Sequence, residues 1–178
     1  IKVFTAYDEL NSILNKIQPL NEKDKFKNII YVQNRYNLEN LLSEHPECTS
    51  EISSNGKDRR FRNNAFEKVS LFTDDNINGD DIKVIGLIKN KRCWKYLNRK
   101  YFDFNHENID KYKVLVPAAN GKGVLGEIFS SPFVAEPFVA YTQTFIGIGA
   151  FETRKEAENA LKYIKTKFCR TMLGVLKI

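Results

Sequence analysis

The richest stretch for chemistry is residues 89–100, Lys-Asn-Lys-Arg-Cys-Trp-Lys-Tyr-Leu-Asn-Arg-Lys, where six cations and no acid are interleaved with two aromatics. No acid occurs between Asp81 and Asp103. Cations attract phosphates and flat rings stack on bases or sugars, so the mixture suits contact with a nucleic-acid strand. Read as a strand, alternation puts Arg92, Trp94 and Tyr96 on one face and Cys93, Lys95 and Leu97 on the other. Lys91, Arg92, Trp94 and Lys95 are the candidates from this run.

Three other segments carry candidates of the same kind. Residues 57–62, Lys-Asp-Arg-Arg-Phe-Arg, hold four cations in six positions. Arg59, Arg60 and Arg62 suit contact with a phosphate backbone, although a solvated loop has the same composition. Gln33, Asn34 and Arg35 follow an apolar run at 29–32. They are the types that read base edges, and equally ordinary loop residues. Residues 120–123, Asn-Gly-Lys-Gly, make a turn whose glycines can expose successive N–H groups as a small anion nest, with Asn120 and Lys122 as candidate contacts.

Catalytic patterns fare worse. Residues 121–126 match GxGxxG after a strand, but Ser130, Ser131 and Pro132 arrive where a dinucleotide fold needs a helix. Asp75, Asp81 and Lys83 resemble the acids and lysine of a magnesium-dependent nuclease, yet they crowd around one turn. Ser130-Ser-Pro-Phe133 and Ala135-Glu-Pro-Phe138 each lack one proline of the Pro-Pro-aromatic motif that holds a flipped adenine. Two histidines, His45 and His106, both lie in polar sequence and suggest no triad. Only His45-x-x-Cys48 has metal-ligand spacing. No catalytic residue and no metal site is expected in this segment.

The elements that must position these residues read as α+β. A helix is expected over 5–17, where Tyr7, Leu10, Ile13, Leu14 and Ile17 recur at helical spacing, Thr5 can cap and Pro19 stops it. Strands are expected near 29–33, 68–73, 82–89, 92–97, 112–117 and 141–148, with 68–73 and 82–89 forming a hairpin around the acidic loop 74–81. Pro117 ends one apolar run and Gly149 breaks another. Thr153 and Glu156 have capping-box spacing at the start of a helix over 154–173, roughly 30 Å long, with a basic outer face. Ala157, Leu161, Ile164, Phe168 and Val175 share its apolar arc, with Ala160 and Met172 on the edges. The expected architecture is one mixed sheet covered by the N-terminal helix and the long C-terminal helix.

At 178 residues, 42% hydrophobic and 12% aromatic, the chain can bury a real core as a single domain, with residues 1–80 the less defined lobe. A net charge of +6 favours an acidic partner. Three cysteines without a CxxC pair fit a reducing compartment, and no apolar run long enough for a membrane span or signal peptide occurs, so a cytoplasmic protein without a membrane partner is expected. The chain starts at Ile1 and stops after an apolar Leu-Lys-Ile, and is expected to be a piece of a larger protein.

The runs KVIGLIKNKRCWKYLNRKY at 83–101, NIDKYKVLVPAANGKGVLGE at 108–127 and TQTFIGIGAFETRKEAENALKYIKTKFCRTMLGVLKI at 142–178 resemble bacterial type II restriction–modification adenine-N6 DNA methyltransferases. The similarity is to the target-recognition region that follows their catalytic domain. It covers roughly the last hundred residues strongly and residues 1–80 loosely. It implies sequence-specific binding of double-stranded DNA by an α+β domain, partnered by the catalytic methyltransferase domain of the same chain, in some members with a nuclease. S-adenosylmethionine would bind in that other domain. This segment has neither the cofactor glycine motif nor the Pro-Pro-aromatic motif, so the resemblance implies no methyl transfer by it alone. A free-standing nuclease and a basic protein-interaction domain are the alternatives.

Overall fold

The computed structural model describes residues 5, 7–17, 25–52, 59–119 and 124–176. The chain is α+β. Helix α1 (Asp8–Lys16) comes first, then a 3-10 turn (Phe26–Ile29) and the short strand β1 (Ile30–Tyr31). Three short helices follow, α2 (Leu38–Glu44), α3 (Cys48–Glu51) and α4 (Ala65–Lys68). Strands β2 (Ile82–Ile88) and β3 (Lys91–Leu97) lead through a 3-10 turn (Arg99–Tyr101) to β4 (Tyr112–Pro117), β5 (Phe133–Ala135), β6 (Val139–Tyr141) and β7 (Phe145–Phe151). Helices α5 (Arg154–Ile164) and α6 (Lys167–Leu176) close the chain.

The strands form two sheets, where one was expected. One has the order β1-β7-β4-β5 and is antiparallel throughout; the other, β3-β2-β6, is mixed, with β6 parallel to β2. Alternating side chains sort the apolar residues into three clusters. Val114, Val116 and Ile148 face α5, where Ile164, Ala160 and Leu161 meet them. Leu115 and Phe145 from the same sheet join Ile85 and Tyr141 from the other. The far face of the second sheet gives Ile82, Val84, Leu97 and Ala140 to a core with Tyr36, Leu41, Cys48, Phe61 and Phe102. The order is helix, sheet, sheet and helical layer.

Several boundaries differ from the sequence reading. The hairpin is β2–β3, closed by Lys89 and Asn90 at φ 49° and 63°, the two-residue turn whose twist suits paired strands. Residues 68–73 are the end of α4 and a turn, with Thr73 alone bridged to Tyr96. Gly149 bends its strand without ending it: φ is 80° and the register against β4 shifts there, a bulge of the kind glycine permits. The expected strand 141–148 is two strands, β6 and β7, split at residues 142–144.

The capping box at α5 is present: Thr153 Oγ1 accepts from the Glu156 N–H and the Glu156 carboxylate accepts from the Thr153 N–H. One long C-terminal helix is not. Thr166 Oγ1 donates to the Tyr163 carbonyl at 2.7 Å and accepts from the Cys169 N–H at 3.2 Å, so one hydroxyl ends α5 and caps α6. That break rephases the helix. Phe168 is left 42% exposed, and Cys169 and Met172 are buried in its place. Val175 lies outside the described side chains. Thr5 braces α1 through the Tyr7 N–H and Asn11 and is not its N-cap, and no residue of α1 is buried.

Candidate nucleic-acid interface

Two of the basic segments, far apart in sequence, run side by side. The Tyr36 N–H donates to the Arg59 carbonyl at 2.6 Å, and the Phe61 N–H to the Asn34 carbonyl at 2.9 Å. Arg35 and Arg60 face each other in an isolated antiparallel bridge. Residues 101–103 lie along the other edge, with the Asn37 N–H bonded to the Tyr101 carbonyl and the Asp103 N–H to the Arg35 carbonyl. Alternation then separates two faces. Inward, Tyr36 and Phe61 pack as a tilted pair with 4.4 Å between ring centres and Phe61 meets Phe102 at 5.2 Å. Outward stand Arg35 and Arg60, and the neighbouring Arg59 and Arg62 are also exposed.

The row therefore presents arginines of two remote segments on one exposed face. Arg35 also borders an open cleft of about 350 Å³ shared with Tyr31, Asp103, Asn105 and His106. The His106 Nε2–H donates to the Val32 carbonyl at 2.8 Å, and burial pushes its pKa below the ordinary imidazole value, which keeps the ring neutral near pH 7.

The other candidates are distributed differently. Gln33 and Asn34 are buried, 5% and 0% exposed, which removes them as readers of base edges. Asn34 is a strut: its Oδ1 accepts from the Tyr141 N–H at 2.9 Å and its own N–H donates to the Tyr141 carbonyl at 3.2 Å. Strand β3 has the expected facing, but two of its cations, Arg92 and Lys95, are engaged. Arg92 Nη2 donates to the carbonyls of Ser130 (2.7 Å) and Ser131 (3.0 Å), and its guanidinium lies over the rings of Phe133 and Phe145. Lys95 pairs with Asp74 at 2.7 Å with only 16% of its side chain exposed. Both are fastenings between segments of the fold. Trp94 sits edge-on to Phe133, with Lys83 Nζ 4.8 Å from its ring centre. Lys91 is exposed at the start of β3, an edge strand. Asn120 and Lys122 lie outside the described residues.

The acidic loop is a closed unit. Asp81 Oδ2 accepts from the N–H groups of Ile77 (2.9 Å) and Asn78 (3.0 Å), and Oδ1 from the Asn78 side chain (2.7 Å). Asp81 is 9% exposed, and no three His, Cys, Asp or Glu side chains gather around a metal-sized space among the described residues.

Sequence reasoning missed Arg99, Phe104 and Phe138. Arg99 lies over both rings, at 4.9 and 4.5 Å. Its presence in the cation-rich run was visible; its pairing with two distant phenylalanines was not.

Comparison of the chain with family models, curated proteins and solved structures gives no match. No helix among the described residues is long and apolar enough to cross a membrane.

Proposed function

We propose that this chain is a recognition module for double-stranded DNA, serving a separate adenine-N6 methyltransferase domain that holds S-adenosylmethionine. The observation that carries the DNA reading is the Arg35–Arg60 bridge, which puts arginines of two remote segments opposite each other on an exposed face. Arginine forks suit phosphate oxygens, and backbone contacts of this kind fix the position of a protein on a duplex. The net charge of +6 and the resemblance of residues 82–178 to target-recognition regions support the same reading. The methylase partner and the place in a bacterial cytoplasmic restriction–modification system rest on that resemblance alone.

A magnesium nuclease draws no support from the acidic loop, because the one buried carboxylate there is occupied by backbone and amide donors. The test is fluorescence anisotropy with a labelled duplex at several salt concentrations. With about four phosphates neutralised, log affinity falls against log salt with a slope of roughly −3 to −4. Binding with no salt dependence, or no binding, overturns the reading.

A further inference from the structure

Arg99 stands over two aromatic rings that the fold leaves in solvent. Its guanidinium carbon is 4.9 Å from the centre of the Phe104 ring and 4.5 Å from that of Phe138. The two phenylalanines remain 42% and 39% exposed. Phe138 does so with a backbone φ of 59°, a left-handed conformation that bulky side chains avoid. Its N–H is tied to the Ile109 carbonyl at 2.7 Å, and the buried Lys113 ammonium donates to that same carbonyl at 3.3 Å. Strain that holds an apolar ring at the surface has no return in buried area. It is the type of outlier that points to function.

Beside these rings, Phe102, Phe104 and Arg99 share an open cavity of about 420 Å³ with Asn37, Asn40 and Asn98, and Lys100 and Asp80 complete its wall. One end of each amide is used within the protein: Asn37 Oδ1 accepts from the Asn40 N–H, Asn40 Nδ2 donates to the Lys100 carbonyl, and Asn98 Oδ1 accepts from the Lys100 N–H. The opposite ends, two amino groups and one oxygen, make no bond among the described residues. Flat rings and a guanidinium plane bordered by amide donors and an acceptor are the chemistry that takes a nucleobase, by its face and by its edge. The backbone links this wall to the arginine segment, because the Asp103 N–H beside Phe104 donates to the Arg35 carbonyl.

We propose that the Arg99–Phe104–Phe138 stack and its amide rim form a site for an unpaired DNA base, occupied when the strand held by the arginine row is locally unstacked. This rests on the DNA reading above and adds to it that the module binds distorted DNA in preference to a straight duplex. A base presented outside the helix needs no unpairing step, so it binds more tightly than the same base inside a matched duplex.

The test uses the 178-residue chain with two duplexes of one sequence, one matched and one carrying a single bulged 2-aminopurine. The expected result is about tenfold tighter binding of the bulged duplex, the scale of one base–aromatic stack, together with quenching of the 2-aminopurine emission. Phe104→Ala and Phe138→Gly should remove the preference and the quenching while leaving matched-duplex affinity in place. Arg99→Lys keeps the charge, loses the plane, and should weaken the preference. Matched-duplex binding with equal affinity for the bulge overturns this site and leaves the DNA reading standing. Failure to bind either duplex overturns both.

Discussion

Arg35 and Arg60 occupy directly opposed positions across an antiparallel bridge, with both side chains exposed. On DNA that arrangement becomes two adjacent phosphate contacts. Arg35→Ala and Arg60→Ala should each lower duplex affinity at low salt for all sequences alike. Each should also make the salt slope shallower by about one unit. Anisotropy titrations of the single and double variants check this. Unchanged slopes would return the row to a solvated ridge.

Arg92 and Lys95 should behave in the opposite way. Arg92 binds two carbonyls of the 130–131 loop and covers two rings, so Arg92→Ala should destabilise the fold by about 1–2 kcal/mol while altering DNA affinity little. Lys95→Ala loses one pair with an exposed Asp74 and should cost about 0.2–1 kcal/mol. Urea denaturation beside DNA titration separates the two effects. A large loss of affinity in a fully stable Arg92→Ala protein would restore strand β3 as the contact surface.

The contrast between these residues shows what the sequence could convey. The facing of Arg92, Trp94 and Tyr96 follows from strand alternation, and the Thr153–Glu156 box from local spacing, so both are legible. The use of Arg92 depends on where residues 130–131 lie in three dimensions. The Arg35–Arg60 bridge needs two loops to meet across the tilted Tyr36–Phe61 pair, which no local pattern encodes. The helix break at Thr166 was local yet hidden, because apolar periodicity continues through it and only the hydroxyl marks the stop. Asn34 has base-reading chemistry by type, but complete burial assigns its amide to Tyr141.

Asp81 should prove structural. Its carboxylate accepts from two backbone N–H groups and one amide, so Asp81→Ala leaves donors unpaired in a partly buried loop. A loss of about 1–3 kcal/mol is expected in urea titration. Incubation of the unaltered chain with plasmid and magnesium should give no nicking on an agarose gel. Magnesium-dependent cleavage abolished by Asp81→Asn would promote the nuclease.

Lys113 is fully buried, and its ammonium donates to the carbonyls of Asn108 (2.8 Å), Lys111 (3.0 Å), Ile109 (3.3 Å) and Glu136 (3.4 Å). Burial pushes its pKa down to about 7, against about 10.4 in the unfolded chain. Between those values the unfolded state binds more protons, so stability rises with pH; below about 7 both states are protonated and the burial penalty acts in full. Cys48, raised to about 12 mainly by burial, works in the other sense once an unfolded thiol ionises near about 8.5. The clean window is therefore pH 7 to 8.5. Urea midpoints should climb across it in the unaltered protein and stay level in Lys113→Met, which is also less stable because four carbonyls lose their donor. An equal climb in both would assign the dependence elsewhere.

Phe138 offers the sharpest separation of fold from function. At φ 59° any side chain with a Cβ is strained, whereas glycine is not. Phe138→Ala removes the ring and keeps the strain, and Phe138→Gly removes both. The ring is 39% exposed, so its loss costs less than that of a core phenylalanine. The glycine variant should then be more stable than the alanine variant by about 1 kcal/mol, the usual cost of a left-handed residue. This ordering reverses the ordinary ranking of alanine over glycine, because at negative φ the extra freedom of glycine in the unfolded chain favours alanine. Thermal melts of the two variants under one condition read it directly. If the alanine variant is the more stable, the backbone at 138 is relaxed in solution, and the exposed ring is not held there by strain.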